Sequence, residues 1–213
     1  VPMDATTRAG LLAGMQVKTP RLSRSGFFVD AKGTVVTTAE AVAQCGRITI
    51  DHDSDATILA QDSASGVAIL TPVAPLAPSA YARFQSGAAR MGDAITVAGY
   101  SYEGRLPAPV LSFGSFEEPQ GLNGEPGMAR LSVPVLPGDA GGPVLDESGA
   151  VLGMLLPTDV KGAKLLPDGV AFATSAAVIS AALTAAGVTP AQSDHAARAT
   201  PDGYTWLWGT DTL

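Results

Sequence analysis

The sequence predicts an all-β protein, and three observations carry this prediction. Only 15% of the residues are charged, glycine and proline are abundant at 24 and 16 residues, and the apolar residues come in short runs. Short apolar runs between turn-forming residues are typical of many strands joined by tight turns. The 213 residues are enough for a large core, and a single all-β unit of this length is ordinary.

The N-terminal segment, residues 1–24, is predicted to contain one short helix at 4–16. Asp4 is a favourable N-cap, and apolar side chains follow it at helical spacing at Leu11, Leu12 and Met15. Strands are expected to begin only after this segment.

Eleven strands are expected along the rest of the chain. Residues 25–71 contain apolar and β-branched runs at 26–30, 34–37, 47–51, 56–61 and 67–71. Residues 81–188 contain further runs at 94–99, 110–116, 129–134, 144–145, 151–156 and 170–173. Between these regions, residues 72–80 include Pro72, Pro75 and Pro78. Since proline cannot donate to a central ladder, this stretch is predicted to be an extended linker.

Four stretches of the sequence together resemble one protein family. Residues 137–143 read Pro-Gly-Asp-Ala-Gly-Gly-Pro, a string whose glycines permit backbone conformations that a Cβ would forbid. Three more stretches accompany it in chain order, at 26–50, 62–70 and 169–183. The set resembles the trypsin-like serine proteases, and in particular their HtrA-type (Deg) branch, over roughly residues 24–188.

The resemblance implies a fold and the place of a site. It implies two six-stranded antiparallel β-barrels of the trypsin-like serine protease fold, the first from residues 25–71 and the second from residues 81–188 with a C-terminal helix. Residues 72–80 would join the barrels, and residues 189–213 would form a C-terminal tail. The crevice between the barrels would be the active-site equivalent.

The same resemblance implies that all three positions of the catalytic triad are replaced. Glu40 stands at the histidine position, Gly66 at the aspartate position and Ala140 at the serine position. Ala140 has no hydroxyl to attack a carbonyl, and Gly66 has no side chain to orient a base. A carboxylate with an ordinary pKa of about 4.3 is a weaker base than an imidazole with a pKa of about 6.5. We therefore expect a pseudoprotease.

A binding role is compatible with loss of the triad. By resemblance, the N–H groups of Gly138 and Ala140 would form an oxyanion-hole equivalent. A strand edge for an extended peptide would be offered by Gly169, Val170, Ala171 and Phe172. Strand addition of this kind uses main-chain hydrogen bonds and needs no catalysis. The leading hypothesis is a protein-binding or peptide-binding module.

The C-terminal tail offers a second route to a partner. Its residues Tyr204, Trp206 and Trp208 alternate, and would share one face of a strand. This aromatic face would either cover apolar surface on its own domain or dock on a partner.

Other reactive side chains point to no enzyme, cofactor or metal site. His52 follows a predicted strand in a polar turn, His195 lies in the polar tail, and Cys45 is the single thiol. The alternating Asp51, Asp53 and Asp55 lack the glycine and the terminal glutamate of a calcium loop. The alternatives are a hydrolase with residual or non-standard catalysis, and a purely structural or assembly role.

Charge and hydropathy restrict the partners. The net charge of −7 disfavours nucleic acid and anionic lipid surfaces. No run approaches the ~18 apolar residues of a membrane helix, so membrane insertion is not expected. An oligomer is possible, but the first 25 residues contain no aromatic side chain for the trimer contacts typical of the resembled branch. That branch suggests a bacterial envelope location, periplasmic or otherwise extracytoplasmic, with the cytoplasm as the alternative.

Overall fold

The computed structural model describes residues 20–51, 53–103, 105–106, 108–158 and 167–193. Within these residues the chain forms eleven strands, two α-helices and one 3-10 turn, and all of the strand pairing between named strands is antiparallel. The predicted helix at 4–16 lies outside the described residues. The all-β prediction is confirmed.

The first five strands form one open sheet. They are β1 (Gly26–Phe28), β2 (Val35–Thr38), β3 (Ile48–Ile50), β4 (Ser54–Asp62) and β5 (Val67–Pro72), and their order in the sheet is β1-β2-β5-β4-β3. Strand β5 is central, and its residues 67–70 are buried on both faces of the sheet. A continuous apolar run suits this position, since neither face meets water.

The remaining six strands form a closed barrel. They are β6 (Ala94–Gly99), β7 (Val110–Gln120), β8 (Pro126–Ser132), β9 (Pro143–Leu145), β10 (Val151–Leu155) and β11 (Val170–Ser175). The order around the barrel is β10-β11-β8-β7-β6-β9. Its interior is filled by apolar side chains that include Ile95, Leu131 and Leu155. Closure removes the unpaired edges that an open sheet presents.

Two details of the predicted fold need correction. The first region is an open five-stranded sheet over the described residues, and its two edge strands β1 and β3 have only three residues each. Pro72 belongs to the end of β5, where it faces Ala56 of β4, rather than to the linker. It lies beyond the part of β5 that pairs with β2, so its missing N–H breaks no ladder on that side. The unit boundaries at residues 24, 80 and 188 stay predictions.

Two helices follow strand ends. Helix α1 (Ala39–Val42) is a single turn directly after β2. Helix α2 (Ala176–Ala185) follows β11, and the Ser175 side chain caps it by accepting a hydrogen bond from the Val178 N–H at 3.4 Å. It ends before Gly187, whose φ of +78° suits a residue without a Cβ.

The sheet and the barrel share one hydrophobic core. Phe27 and Ile69 of the sheet pack with Met154 of the barrel and with Ile179 and Leu183 of α2, all nearly inaccessible to water. Because this core joins both halves, the crevice between them has fixed walls. Among the described residues, no helix is long and apolar enough to cross a membrane.

Candidate functional site

The loop that carries Ala140 is shaped by its glycines. Residues Pro137–Asp139 form a 3-10 turn, after which the Gly141 N–H donates to the Leu155 carbonyl at 2.9 Å. Gly141 has a φ of +89°, and a Cβ there would collide with the carbonyl oxygen of Ser25. Two separate features therefore require glycine at this position: its backbone conformation and the close approach of another segment.

Ser25 fastens this loop to the sheet. Its N–H donates to the Ala140 carbonyl at 2.9 Å, and its hydroxyl donates to the Gly138 carbonyl at 2.7 Å. The same hydroxyl accepts a hydrogen bond from the Tyr100 N–H at 2.8 Å. Ser25 is completely buried, so these bonds are shielded from water. The loop is held rigidly where sheet and barrel meet.

The side chain of Asp139, next to Ala140, is turned into the protein. Its carboxylate accepts hydrogen bonds from the Ser101 hydroxyl at 2.6 Å and from the Leu136 N–H at 2.8 Å. Burial raises the pKa of Asp139 above its ordinary value, and these two hydrogen bonds only partly oppose that rise. Asp139 therefore anchors the loop and does not face the crevice.

Ala140 itself is buried, and its N–H is hydrogen-bonded within its own loop. This N–H donates to the Pro137 carbonyl at 3.3 Å, closing the 3-10 turn. The expected oxyanion-hole equivalent needs this N–H to point at a ligand. In the described conformation the Ala140 donor is engaged within the loop, and the oxyanion-hole equivalent at Gly138 and Ala140 stays a prediction.

Glu40 is held by a buried arginine. It is the second residue of α1, and its side chain is 41% exposed, whereas the Arg24 side chain is 2% exposed. The Arg24 Nε–H donates to Glu40 Oε2 at 3.1 Å, and its Nη2–H donates to Oε1 at 3.0 Å. Such two-point guanidinium–carboxylate pairs are strong and directional. Arg24 also lies 4.0 Å from the carboxylate of Glu103.

Gly66 is linked to helix α1, which carries Glu40, by a backbone hydrogen bond. Its carbonyl accepts the N–H of Ala39, the first residue of α1, at 2.8 Å. Its φ is +73°, and a Cβ built there would lie 2.6 Å from the Leu156 Cδ2. Leucine therefore fills the space into which a side chain at position 66 would project.

A cavity of about 530 Å³ opens between the sheet and the barrel at these residues. Glu40 and Gly66 line it, whereas Ala140 does not. The remaining lining comes from both halves of the fold: Thr38, Ala39, Ala43, Ser63, Ala64, Ser65, Met128, Leu156, Pro157 and Phe172. The hydroxyl of Thr38 is buried without a hydrogen-bond partner in the described part of the chain. We call this space the crevice cavity.

The predicted strand edge at 169–172 stays a prediction, because β11 pairs with β8 on one side whereas its pairing with β10 on the other side covers only residues 173–175. Residues 170–174 pair with β8, and the Gly169 carbonyl accepts the Val133 N–H at 2.8 Å. On the other side β10 pairs with residues 173–175, and the Leu156 N–H donates to the Phe172 carbonyl at 2.8 Å. Phe172 also lines the crevice cavity.

Comparison with known proteins assigns the family. A sequence model described as the trypsin-like peptidase domain matches residues 24–154, which is more than half of the chain. The chain belongs to this trypsin-like peptidase domain family. The matched range covers the loop with Ala140, helix α1 with Glu40 and the turn before β5 with Gly66.

Solved serine proteases share the fold of this trypsin-like peptidase domain. The serine endoprotease from Yersinia pestis superposes with a TM-score of 0.64 at 16% identity, over 81% of this chain and 60% of that one. Rv3671c from M. tuberculosis H37Rv, solved in an inactive form as a serine-to-alanine mutant, gives 0.61 at 24% identity, over 88% of this chain and 95% of that one. These identities establish a common fold.

A curated relative is longer than this trypsin-like peptidase domain. The uncharacterized protein y4bJ of Sinorhizobium fredii is 27% identical over 176 residues, which are 78% of this chain and 28% of the relative. The chain thus spans little more than a quarter of that protein's length.

The other candidate residues form no second site in the described part of the domain. Cys45 is half-buried, and its thiol donates to the Ala41 carbonyl at 3.4 Å. Asp55 pairs with Arg47 at 2.6 Å, and no group of three metal-ligating side chains is present among the described residues. Outside the described residues lie His52, His195, Tyr204, Trp206 and Trp208.

Sequence reasoning missed two residues that contact the predicted triad-equivalent positions. Arg24 precedes β1 by two residues, and Leu156 follows β10 directly. Nothing in their local patterns indicates contact with Glu40 or Gly66, because both contacts join segments far apart in the sequence. A buried arginine needs a carboxylate partner, but the sequence does not show that Arg24 is buried.

Proposed function

We propose that this trypsin-like peptidase domain is a pseudoprotease that binds a protein or peptide segment in the crevice cavity. The observation that carries the proposal is the two-point ion pair between Arg24 and Glu40 at the predicted histidine position. Glu40 lines the same crevice cavity as Gly66, and Ala140 is buried in its loop.

The chemistry of acyl transfer needs groups that the site lacks. A nucleophile must attack the carbonyl, and a base must take its proton. Ala140 supplies no hydroxyl, and the carboxylate oxygens of Glu40 are both bound by the Arg24 guanidinium. Leu156 occupies the space where a side chain at position 66 would orient a base. All three changes remove parts of one relay, which supports loss of catalysis by serine-protease chemistry.

The crevice cavity supports binding. Its volume of about 530 Å³ lies within the roughly 300–1,000 Å³ usual for ligand sites. Its barrel-side wall is apolar and consists of Met128, Leu156, Pro157 and Phe172. Glu40 is the one charged lining residue, and Ser63 and Ser65 are polar lining residues. A peptide with a bulky apolar side chain fits this distribution, since burial of that side chain drives association.

The finer assignments rest on sequence likeness. We place the domain in the HtrA-type branch because four segments follow that branch's order from Gly26 to Leu183. This branch supports an extracytoplasmic location in a bacterial envelope. A fusion of the domain to a reporter that is active only outside the cytoplasm would test the location, and an inactive reporter would contradict it.

A peptide-display selection with a blocked cavity tests the binding proposal. Peptides are selected on the unaltered protein and then measured on Ala64→Trp, because Ala64 is an exposed lining residue where tryptophan would fill the cavity. Ala31→Trp, in the exposed turn after β1, is the matched control. We expect Ala64→Trp to abolish binding and Ala31→Trp to preserve it. Equal binding by both variants would place the ligand elsewhere and overturn the proposal.

A further inference from the structure

A second cavity, of about 570 Å³, lies on the outer side of the barrel. One wall is the N-terminal half of α2, and another is the loop 85–89. Its floor includes Phe116 and Ala129, which belong to the barrel core, and Leu152, which packs against that core. We call it the α2 cavity. It is continuous with the barrel core, so a side chain that entered it would extend that core.

The lining of the α2 cavity is unusual in its side-chain sizes. Glycine, alanine and serine make up most of it, and none of its described lining residues is charged. Small residues on facing walls leave a space that only large side chains can fill. An aromatic ring matches such a site, because it buries 150–250 Å² at little cost in conformational entropy.

The chain itself leads into this cavity. Gln192 lines the cavity, and residues 191–193 run beside Phe84, directly before the loop 85–89. The Phe84 N–H donates to the Ala191 carbonyl at 2.8 Å, and the Ser193 N–H donates to the Phe84 carbonyl at 2.8 Å. The described chain therefore ends at the rim of the cavity, and residues 194–213 follow from that point.

Those following residues carry the side chains that the cavity lacks. Tyr204, Trp206, Leu207 and Trp208 are large, and the ten residues from 194 to 203 can span roughly 33 Å when extended. The linker therefore does not prevent return to a cavity whose rim it leaves. Hydroxyl and amide groups of Ser180 and Gln192 line the same cavity and can accept an indole N–H.

We propose that residues 194–213 dock on their own domain, with the aromatic side chains of 204–208 in the α2 cavity. This assignment does not depend on the proposed pseudoprotease function, because the α2 cavity shares no lining residue with the crevice cavity. It gives the aromatic segment a structural role in completing the barrel core.

The intrinsic fluorescence of the full chain tests this proposal without a label. The chain contains two tryptophans, Trp206 and Trp208, so selective tryptophan excitation reports on the docking segment alone. A synthetic peptide of residues 194–213 serves as the exposed reference. We expect the emission of the full chain to be blue-shifted from that of the peptide, and to be protected from a soluble quencher.

Matched substitutions on α2 locate the docking site. Ala177 and Ala181 are both exposed and lie one turn apart, but Ala177 lines the α2 cavity whereas Ala181 lines a different one beside β4. We expect Ala177→Arg to shift the emission towards that of the peptide and Ala181→Arg to leave it unchanged. Ala88→Arg, in the exposed loop on the opposite wall, should act like Ala177→Arg and repeats the test if α2 is perturbed.

Truncation after Ser193 gives an independent measurement. Burial of one aromatic side chain corresponds to a change of roughly 3–12 °C in Tm for a domain of this size, so the truncated protein should melt lower by that amount. Emission identical to that of the free peptide would overturn the proposal. So would a blue shift that disappears on dilution, which would indicate a second copy of the chain, or one that Ala181→Arg reverses as fully as Ala177→Arg.

Discussion

The Arg24 guanidinium donates two hydrogen bonds to the Glu40 carboxylate, at 3.1 and 3.0 Å, in the crevice between sheet and barrel. Arg24 is almost inaccessible to water, whereas Glu40 keeps 41% of its side chain exposed. The arginine needs this partner, because a buried cation without a counter-charge is costly. The pair thus couples the residue at the predicted histidine position to the stability of the fold.

Removing the carboxylate should destabilise the domain. We expect Glu40→Gln to lower the free energy of unfolding by about 1–3 kcal/mol, since Arg24 loses the nearer of its two described carboxylate partners while partial exposure of Glu40 reduces the penalty. Glu103→Gln is the matched control, because Glu103 lies 4.0 Å from Arg24 and is more exposed. Urea unfolding measures both. Equal small losses for both variants would mean that the Arg24–Glu40 pair does not stabilise the fold.

Restoring an aspartate at position 66 should be unfavourable. We expect Gly66→Asp to cost about 1–3 kcal/mol, because Gly66 has a φ of +73° and its Cβ would meet Leu156. The double variant with Leu156→Ala should lose less stability than the sum of the two single losses, because the shorter side chain opens space for the new aspartate. Thermal unfolding of the single and double variants measures the coupling. Additive losses would show that Leu156 does not oppose a side chain there.

Two glycines separate backbone strain from steric overlap. Gly141 and Gly92 have nearly the same φ, +89° and +87°, but a Cβ at Gly141 would collide with Ser25 whereas a Cβ at Gly92 would meet nothing within 4 Å. We expect Gly92→Ala to cost about 1–2 kcal/mol and Gly141→Ala clearly more. Urea unfolding gives both values. Equal losses would contradict the tight contact between Ser25 and the loop that carries Ala140.

Asp139 should make stability depend on pH in the direction opposite to an ordinary ion-paired carboxylate. Burial raises its pKa in the folded state, so the folded protein binds the proton more tightly than the unfolded chain does. Its contribution is fully present below the unfolded pKa of about 3.9 and is lost as the pH rises through the higher folded pKa. The stability advantage of the unaltered protein over Asp139→Asn should therefore shrink as the pH rises from about 4.

Urea midpoints of both proteins across this pH range measure the difference. The comparison with Asp139→Asn removes the opposite contribution of exposed carboxylates such as Asp55 and Asp62, whose pKa values hydrogen bonds lower. An advantage that grows with pH would contradict the raised pKa of Asp139.

The strands were predictable because their apolar runs are local signals. Each of the eleven expected strands overlaps an observed one, and β6 has the same bounds, Ala94–Gly99. Closure of the barrel and the five-stranded form of the first sheet depend on contacts between distant strands, which single-sequence patterns do not contain. Pro72 illustrates what a single sequence cannot show, since the end of an interior strand tolerates a proline that a central position would not.

Sequence motifs named the positions of the candidate site, whose triad equivalence stays a prediction, but they did not indicate the contacts of these positions. The glycine-rich loop placed Ala140, and the motifs placed Glu40 and Gly66, whose surroundings in the crevice the structure now describes. The contacts of Arg24 with Glu40 and of Leu156 with Gly66 arise from tertiary packing. The strand edge at 169–172 stays a prediction, because β8 pairs with residues 170–174 on one side of β11 whereas β10 pairs with residues 173–175 on the other.

Loss of serine-protease catalysis is tested most directly by two measurements on the unaltered protein: hydrolysis of labelled casein, and labelling by a fluorophosphonate probe of activated serines. We expect no turnover and no labelling above the heat-denatured control, because Ala140 carries no nucleophile and Glu40 is bound by Arg24. Turnover that remains with the protein through repeated purification, and that is lost in Glu40→Gln, would contradict this expectation and show that this trypsin-like peptidase domain is a working hydrolase.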